Sequence, residues 1–160
     1  MKLLLGTLLL AAGICQAGDI ALTIKAHDAP ALVLTVPAKA KVTTSATKTE
    51  IHTDDMILCV WSIDQAKTVD EGLARIPQVI EHEVLEFAAA STNSITVAGA
   101  PAKHLTGRGI EADDHDPATA DIVVFTTGKT VFAACVHGED NAASRERGPM
   151  LKVLATARAP

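Results

Sequence analysis

The six residues Met56-Ile57-Leu58-Cys59-Val60-Trp61 carry an apolar side chain at every position. Successive side chains of a strand point to opposite faces, so a strand without a polar face has to be covered on both sides. This run predicts a core strand inside a layered fold, with other elements packed on each face of its sheet.

The rest of the chain supplies the layers. Ile20 to Ala26 and Ala31 to Val36 are short apolar runs separated by His27-Asp28-Ala29-Pro30, a hairpin or bend signal, and Pro37 ends the second. Thr43 to Thr49 is polar and β-branched and reads as an exposed loop or edge strand. Ser94 to Ala98 and Pro101 to Glu111 flank Gly99-Ala100, and Thr119 to Thr126 and Thr130 to His137 flank Thr127-Gly128-Lys129. Four β segments in succession predict an antiparallel meander. Between the two β regions, Thr68-Val69-Asp70-Glu71 has the form of a capping box that opens a helix. Val69, Leu73, Ile76, Ile80, Val84 and Phe87 recur at helical steps, Pro77 should kink or split that helix, and its end falls near Glu83 to Leu85. A last helix from about Ala142 to Ala157 starts beside Asp140 or Asn141, with a break expected at Gly148-Pro149. The element order predicts an α+β fold, a mainly antiparallel sheet covered by helices.

The beginning of the chain reads differently. Lys2 precedes twelve largely apolar residues, Leu3 to Ile14, and then Cys15-Gln16-Ala17 stands before Gly18. This is the pattern of a secretory signal peptide, with cleavage expected after Ala17 and a single domain over 18–160. A lipid anchor on Cys15 is the alternative, and Ile14 before it fits that processing poorly. The apolar run is shorter than the roughly 20 residues a membrane-spanning helix needs, and no second run follows, so no transmembrane segment is expected in the mature chain. Cleavage leaves Cys59 and Cys135, which can form one disulfide in an oxidising compartment or remain a pair of buried thiols.

Charge and composition remove several functions. A net charge of −5 without a basic patch excludes the electrostatic footprint of a nucleic-acid binder. One Trp, three Phe and no Tyr leave little material for aromatic cages or stacking platforms. There is no Gly-x-Ser-x-Gly elbow and no reactive-cysteine signature, so no catalytic residue is assigned. Gly107-Arg108-Gly109 lacks the setting of a phosphate loop and reads as a bulged or twisted strand. His27, His52, His82 and His104 are scattered and read as surface or hydrogen-bonded residues. The densest polar cluster is Glu111 to Pro117. Its Asp113, Asp114, His115 and Asp116, joined by His137 if the strands bring it close, could hold a divalent cation, or the segment is a solvated acidic turn. His137 to Asn141 is a second cluster, better explained by capping of the last helix than by ligand binding.

Four segments together resemble a known family: Leu32 to Val42 (LVLTVPAKAKV), Ile95 to Leu105 (ITVAGAPAKHL), Asp121 to Val136 (DIVVFTTGKTVFAACV) and Met150 to Arg158 (MLKVLATAR). They look like the successive landmarks of the PsbP-like α/β/α sandwich, whose members include extrinsic photosystem proteins and DcrB-type periplasmic proteins. The resemblance implies that fold and a non-enzymatic binding or assembly role, and it carries over no cofactor and no site residue. The expectation is an exported module, periplasmic or secreted, monomeric or weakly oligomeric, recognising a protein or small ligand of the cell envelope. A metal-handling protein using the acidic/His loop is the first alternative, and a small hydrolase with a dispersed site is the second.

Overall fold

The computed structural model describes residues 18–160; the predicted leader, Cys15 included, lies outside them. Strands β1 (Asp19–Ala26) and β2 (Ala29–Pro37) form an antiparallel two-stranded ribbon. The main sheet contains β3 (Lys41–Thr44), β4 (Lys48–His52), β5 (Ile57–Ser62), β6 (Val84–Val97), β7 (Ala100–Glu111), β8 (Pro117–Thr127) and β9 (Thr130–Gly138). Its order is β3-β4-β5-β9-β8-β7-β6, and every pairing is antiparallel. The helices are α1 (Val69–Leu73), α2 (Ile76–Val79) and α3 (Ala142–Leu154).

The predicted core strand is β5, and it lies between β4 and β9 as its two-sided apolar pattern requires. Leu58 and Val60 face one core with the ribbon residues Leu32, Leu34 and Val36 and with Met150, Val153 and Leu154 of α3. Cys59 and Trp61 face the other core, with Ile76 of α2 and Ile80 just after it. Phe125 and Phe132, register partners on β8 and β9, stack with ring centroids 5.7 Å apart in the first core. Each fully buried side chain of this size stabilises by about 1.5–3 kcal/mol. The fold is therefore α+β, with elements covering both faces of the sheet, as expected.

Local features follow the sequence in most places. The Thr68 hydroxyl accepts from the Glu71 N–H at 3.2 Å, while the Glu71 carboxylate reaches the Lys67 N–H at 2.7 Å. Pro77 splits the helical segment: α1 ends at Leu73, and α2 takes the proline in its first turn, where no N–H is missed. The apolar face continues across the break: Val69 and Leu73 of α1, half-buried, pack against the core that Ile76, Ile80 and Val84 enter. The meander β6 to β9 is present.

Three expectations need correction. The Thr-rich stretch contains an exposed edge strand, β3, but its end begins β4, an interior strand with Thr49 and Ile51 buried. Alternation buries only every second residue there, so composition alone reads as polar. The break at Gly148-Pro149 does not occur, and α3 is continuous through Pro149. Buried Met150 and Leu154 on one side of the proline and Ala143 on the other hold both halves against the sheet, which offsets the lost hydrogen bond. The bulge expected at Gly107-Arg108-Gly109 is on the neighbouring strand: the β6 register shifts between Leu85 and Ala88 and again between Ala89 and Ser91. Glu86 adopts φ +52°, and the displaced β6 backbone fills the space where Cβ atoms of residues 107 and 109 would stand.

Candidate functional site

On the α1/α2 face of the sheet, the apolar row of β9 ends in a polar residue. Val131, Ala133 and Cys135 pack in the second core, and alternation brings His137 to the same face. Cys135 is the direct partner of Cys59 across β9 and β5, so His137 stands diagonally from Cys59. Glu83 enters from the turn between α2 and β6, fixed by its N–H to Ile80 and by its carbonyl, which accepts from the Ala112 N–H at 3.0 Å. Glu111 enters from the end of β7.

These residues converge. A sulfur, a carboxylate oxygen and a ring nitrogen of Cys59, Glu83 and His137 all lie within 4.8 Å of one another. His137 Nε2 is 3.3 Å from Glu83 Oε2, and its Nδ1 is 3.3 Å from Glu111 Oε1. The second Glu83 oxygen pairs with Lys48, which also reaches Glu50 Oε1 at 2.6 Å, and Glu50 contacts His52 at 3.2 Å. A string of charge thus runs His52–Glu50–Lys48–Glu83–His137–Glu111, with Cys59 beneath it at 1% exposure.

Burial lowers the proton affinity of His137, but hydrogen bonds to Cys59 and Glu83 and the charge of Glu111 outweigh it and raise its pKa to about 10. Burial also acts against the Glu83 carboxylate, yet the hydrogen bonds from His137 and Lys48 hold it below its usual range. Burial pushes the Cys59 thiol up, with a smaller opposing effect from His137. At neutral pH the site is an imidazolium between carboxylates above a neutral thiol. That is not a poised nucleophile and base, because His137 has no free lone pair with which to accept the sulfur's proton.

Next to this string lies a cavity of about 370 Å³, with Trp61, Ile63 and Val79 among its apolar walls and Asp64, Arg75 and His82 as polar groups. Its lining residues Thr47 and His82 are the chain neighbours of Lys48 and Glu83. The volume and the mixed lining suit a small ligand.

The residues expected to hold a cation divide. Asp114, Asp116 and Glu139 bring carboxylate oxygens within 4.8 Å of one another on the surface, whereas Asp113 and His115 join no such group among the described residues. The segment is a tight turn: the Asp116 N–H bonds the Asp114 carboxylate at 3.2 Å, and His115 sits at φ +65°. Of this cluster His137 meets Glu111 alone, and it shares no cation-sized group with the aspartates or His115 among the described residues. Cys59 and Cys135 are cross-strand partners and both are free thiols, the second of the two arrangements open to them. Glu83 and Lys48 escaped the sequence reading because they come from a helix–strand boundary and a presumed loop, whereas Glu111 was read as part of the acidic cluster and not as a partner of His137. His104 is hydrogen-bonded, one of the two readings open to it, and donates to Asp121 at 2.6 Å; unforeseen is that Arg147 grips the same buried carboxylate at 2.7 and 3.0 Å.

The architecture around the site is the PsbP-like α+β fold. Among solved structures of that fold, the solution structure of cyanobacterial PsbP (CyanoP) from Synechocystis sp. PCC 6803 superposes with a TM-score of 0.60. The two share 11% sequence identity, and the match covers 97% of this chain and 100% of that one. A crystal structure from Bacteroides thetaiotaomicron VPI-5482 superposes with a TM-score of 0.54 at 10% identity, over 81% of this chain and 45% of its own. No family model matches the sequence, and no curated protein matches it. No helix among the described residues is long and apolar enough to cross a membrane.

Proposed function

We propose that this chain is an exported, non-enzymatic binding or assembly module of the cell envelope. The observation that carries the reading is the end-to-end likeness to the PsbP-like fold, which spans 97% of this chain. The leader pattern of Lys2, Leu3 to Ile14 and Cys15-Gln16-Ala17 supports export. The cavity beside Trp61 supplies a recognition surface: an apolar floor buries part of a ligand, and Arg75 and His82 orient its polar end. Hydrolysis is the weaker reading, because the cysteine and histidine that come together are respectively buried as a thiol and held protonated.

The test is to capture the protein from its own cell envelope, comparing the wild type with Arg75→Ala and with Trp61→Ala. A partner that co-purifies with the wild type and is depleted with Arg75→Ala supports the reading. Recovery of the chain from the cytosol with its first 17 residues intact would sink the export claim.

A further inference from the structure

We propose that Cys59, Glu83 and His137 form a binding site for a borderline-soft divalent transition ion, with Zn²⁺ as the reference case. Three donors of different type, from β5, the α2–β6 turn and β9, converge within 4.8 Å. Bond lengths of about 2.0–2.3 Å place neighbouring ligand atoms of a tetrahedral zinc site roughly 3.3–3.7 Å apart. His137 Nε2 and Glu83 Oε2 are already 3.3 Å apart, and the sulfur belongs to the same group within 4.8 Å.

The surroundings are those of a metal site. A metal-bound imidazole commonly donates its other N–H to a carboxylate, which fixes the ring, and Glu111 Oε1 stands 3.3 Å from Nδ1. Lys48 holds the Glu83 oxygen that does not face His137, which leaves Oε2 free to turn inward. A sulfur and an imidazole among three donors select against Ca²⁺ and Mg²⁺, which prefer oxygen alone. The ion replaces the protons on sulfur and on Nε2, and both protons pass to the buffer. Three protein ligands leave a fourth position for water or for a group of a bound partner. Glu83 and His137 are each about 15% exposed, so the ion enters from their side while Cys59 closes the floor. The exposed Asp114, Asp116 and Glu139 group offers oxygen only and is not this site.

The experiment is titration of the full chain, reduced and stripped with chelator, first with Co²⁺ and then with Zn²⁺. One Co²⁺ per chain is expected, with a sulfur-to-cobalt charge-transfer band in the near ultraviolet that Zn²⁺ abolishes. The band is lost in Cys59→Ser and kept in Cys15→Ser, in Cys135→Ser and in the paired Asp114→Asn/Asp116→Asn variant. Glu111→Gln weakens binding by about 10- to 100-fold. Circular dichroism checks each variant, and if Cys59→Ser does not fold, Glu83→Gln replaces it with the same loss of Co²⁺ affinity expected. Absence of the band in the wild type, or its survival in folded Cys59→Ser or, where that variant fails, in Glu83→Gln, overturns the site. A chain that captures an envelope partner but ignores both ions would overturn the metal site and leave the binding role standing.

Discussion

Asp121 is the residue at which one atom's worth of change should cost most. It is 2% exposed on β8, and its carboxylate collects three donors: His104 from β7 at 2.6 Å, and Arg147 from α3 at 2.7 and 3.0 Å. Asp121→Asn keeps the shape but removes the charge, and whichever way the amide is turned its NH₂ faces a donor. Removing one partner of a buried pair typically costs about 3–5 kcal/mol. Arg147, whose side chain is 39% exposed, recovers part of its hydration, which puts the expectation at the lower end, about 3 kcal/mol. For a domain of this size that is a fall in Tm on the order of 10 °C. Urea unfolding followed by circular dichroism would measure it, with the midpoint shifted and the slope unchanged. In the cycle with Arg147→Met, the double variant should lose at least ~1 kcal/mol less than the sum of the singles, since the two changes remove one shared interaction. A loss below ~1 kcal/mol for Asp121→Asn, or strict additivity, would refute the claim that this clamp fastens α3 to the sheet.

Other outcomes follow from the same coordinates. Gly107→Ala forces a methyl group onto the Ala88 carbonyl and the Phe87 ring and should destabilise by roughly 1–3 kcal/mol in the same urea assay; Gly148→Ala, with open space around it inside α3, should stabilise by up to ~1 kcal/mol. In chelator, the elevated pKa of His137 contributes stability that is fully present below about 6.5 and lost as pH rises through about 10, so the urea midpoint should fall across that window and His137→Gln should flatten the fall. Cys59 and Cys135, at 1% and 0% exposure, should resist alkylation in the native protein and react only in denaturant; fast labelling of either under native conditions would mean that the sheet opens between β5 and β9.

The fold was legible wherever the side-chain pattern had no competing interpretation. The Thr127-Gly128-Lys129 turn between two β-branched runs is the β8–β9 hairpin, and Pro77 divides the helical segment because a proline cannot donate within a helix. The pattern misled at Lys48 to His52, where two buried residues hide among polar ones, and at Pro149, where packing from both sides overrides the local break. The site was hardly legible at all. His137 was noticed, but its partners depend on strand order: β9 lies beside β5, which precedes it by some seventy residues, and not only beside β8. Glu83 carries no local signal, since its role comes from the turn that aims it across the end of β9.

The ribbon β1–β2 has a consequence for when the chain can fold. Its Thr35 N–H is held by the Thr156 hydroxyl, 121 positions later, and Val33 exchanges two backbone hydrogen bonds with Arg158. Until residues near 158 have been synthesised, Leu32, Leu34 and Val36 have no α3 to pack against, and the first core stays open. An emerging chain therefore remains unclosed until α3 has followed the ribbon, which is the condition in which a polypeptide can still be threaded through a narrow channel.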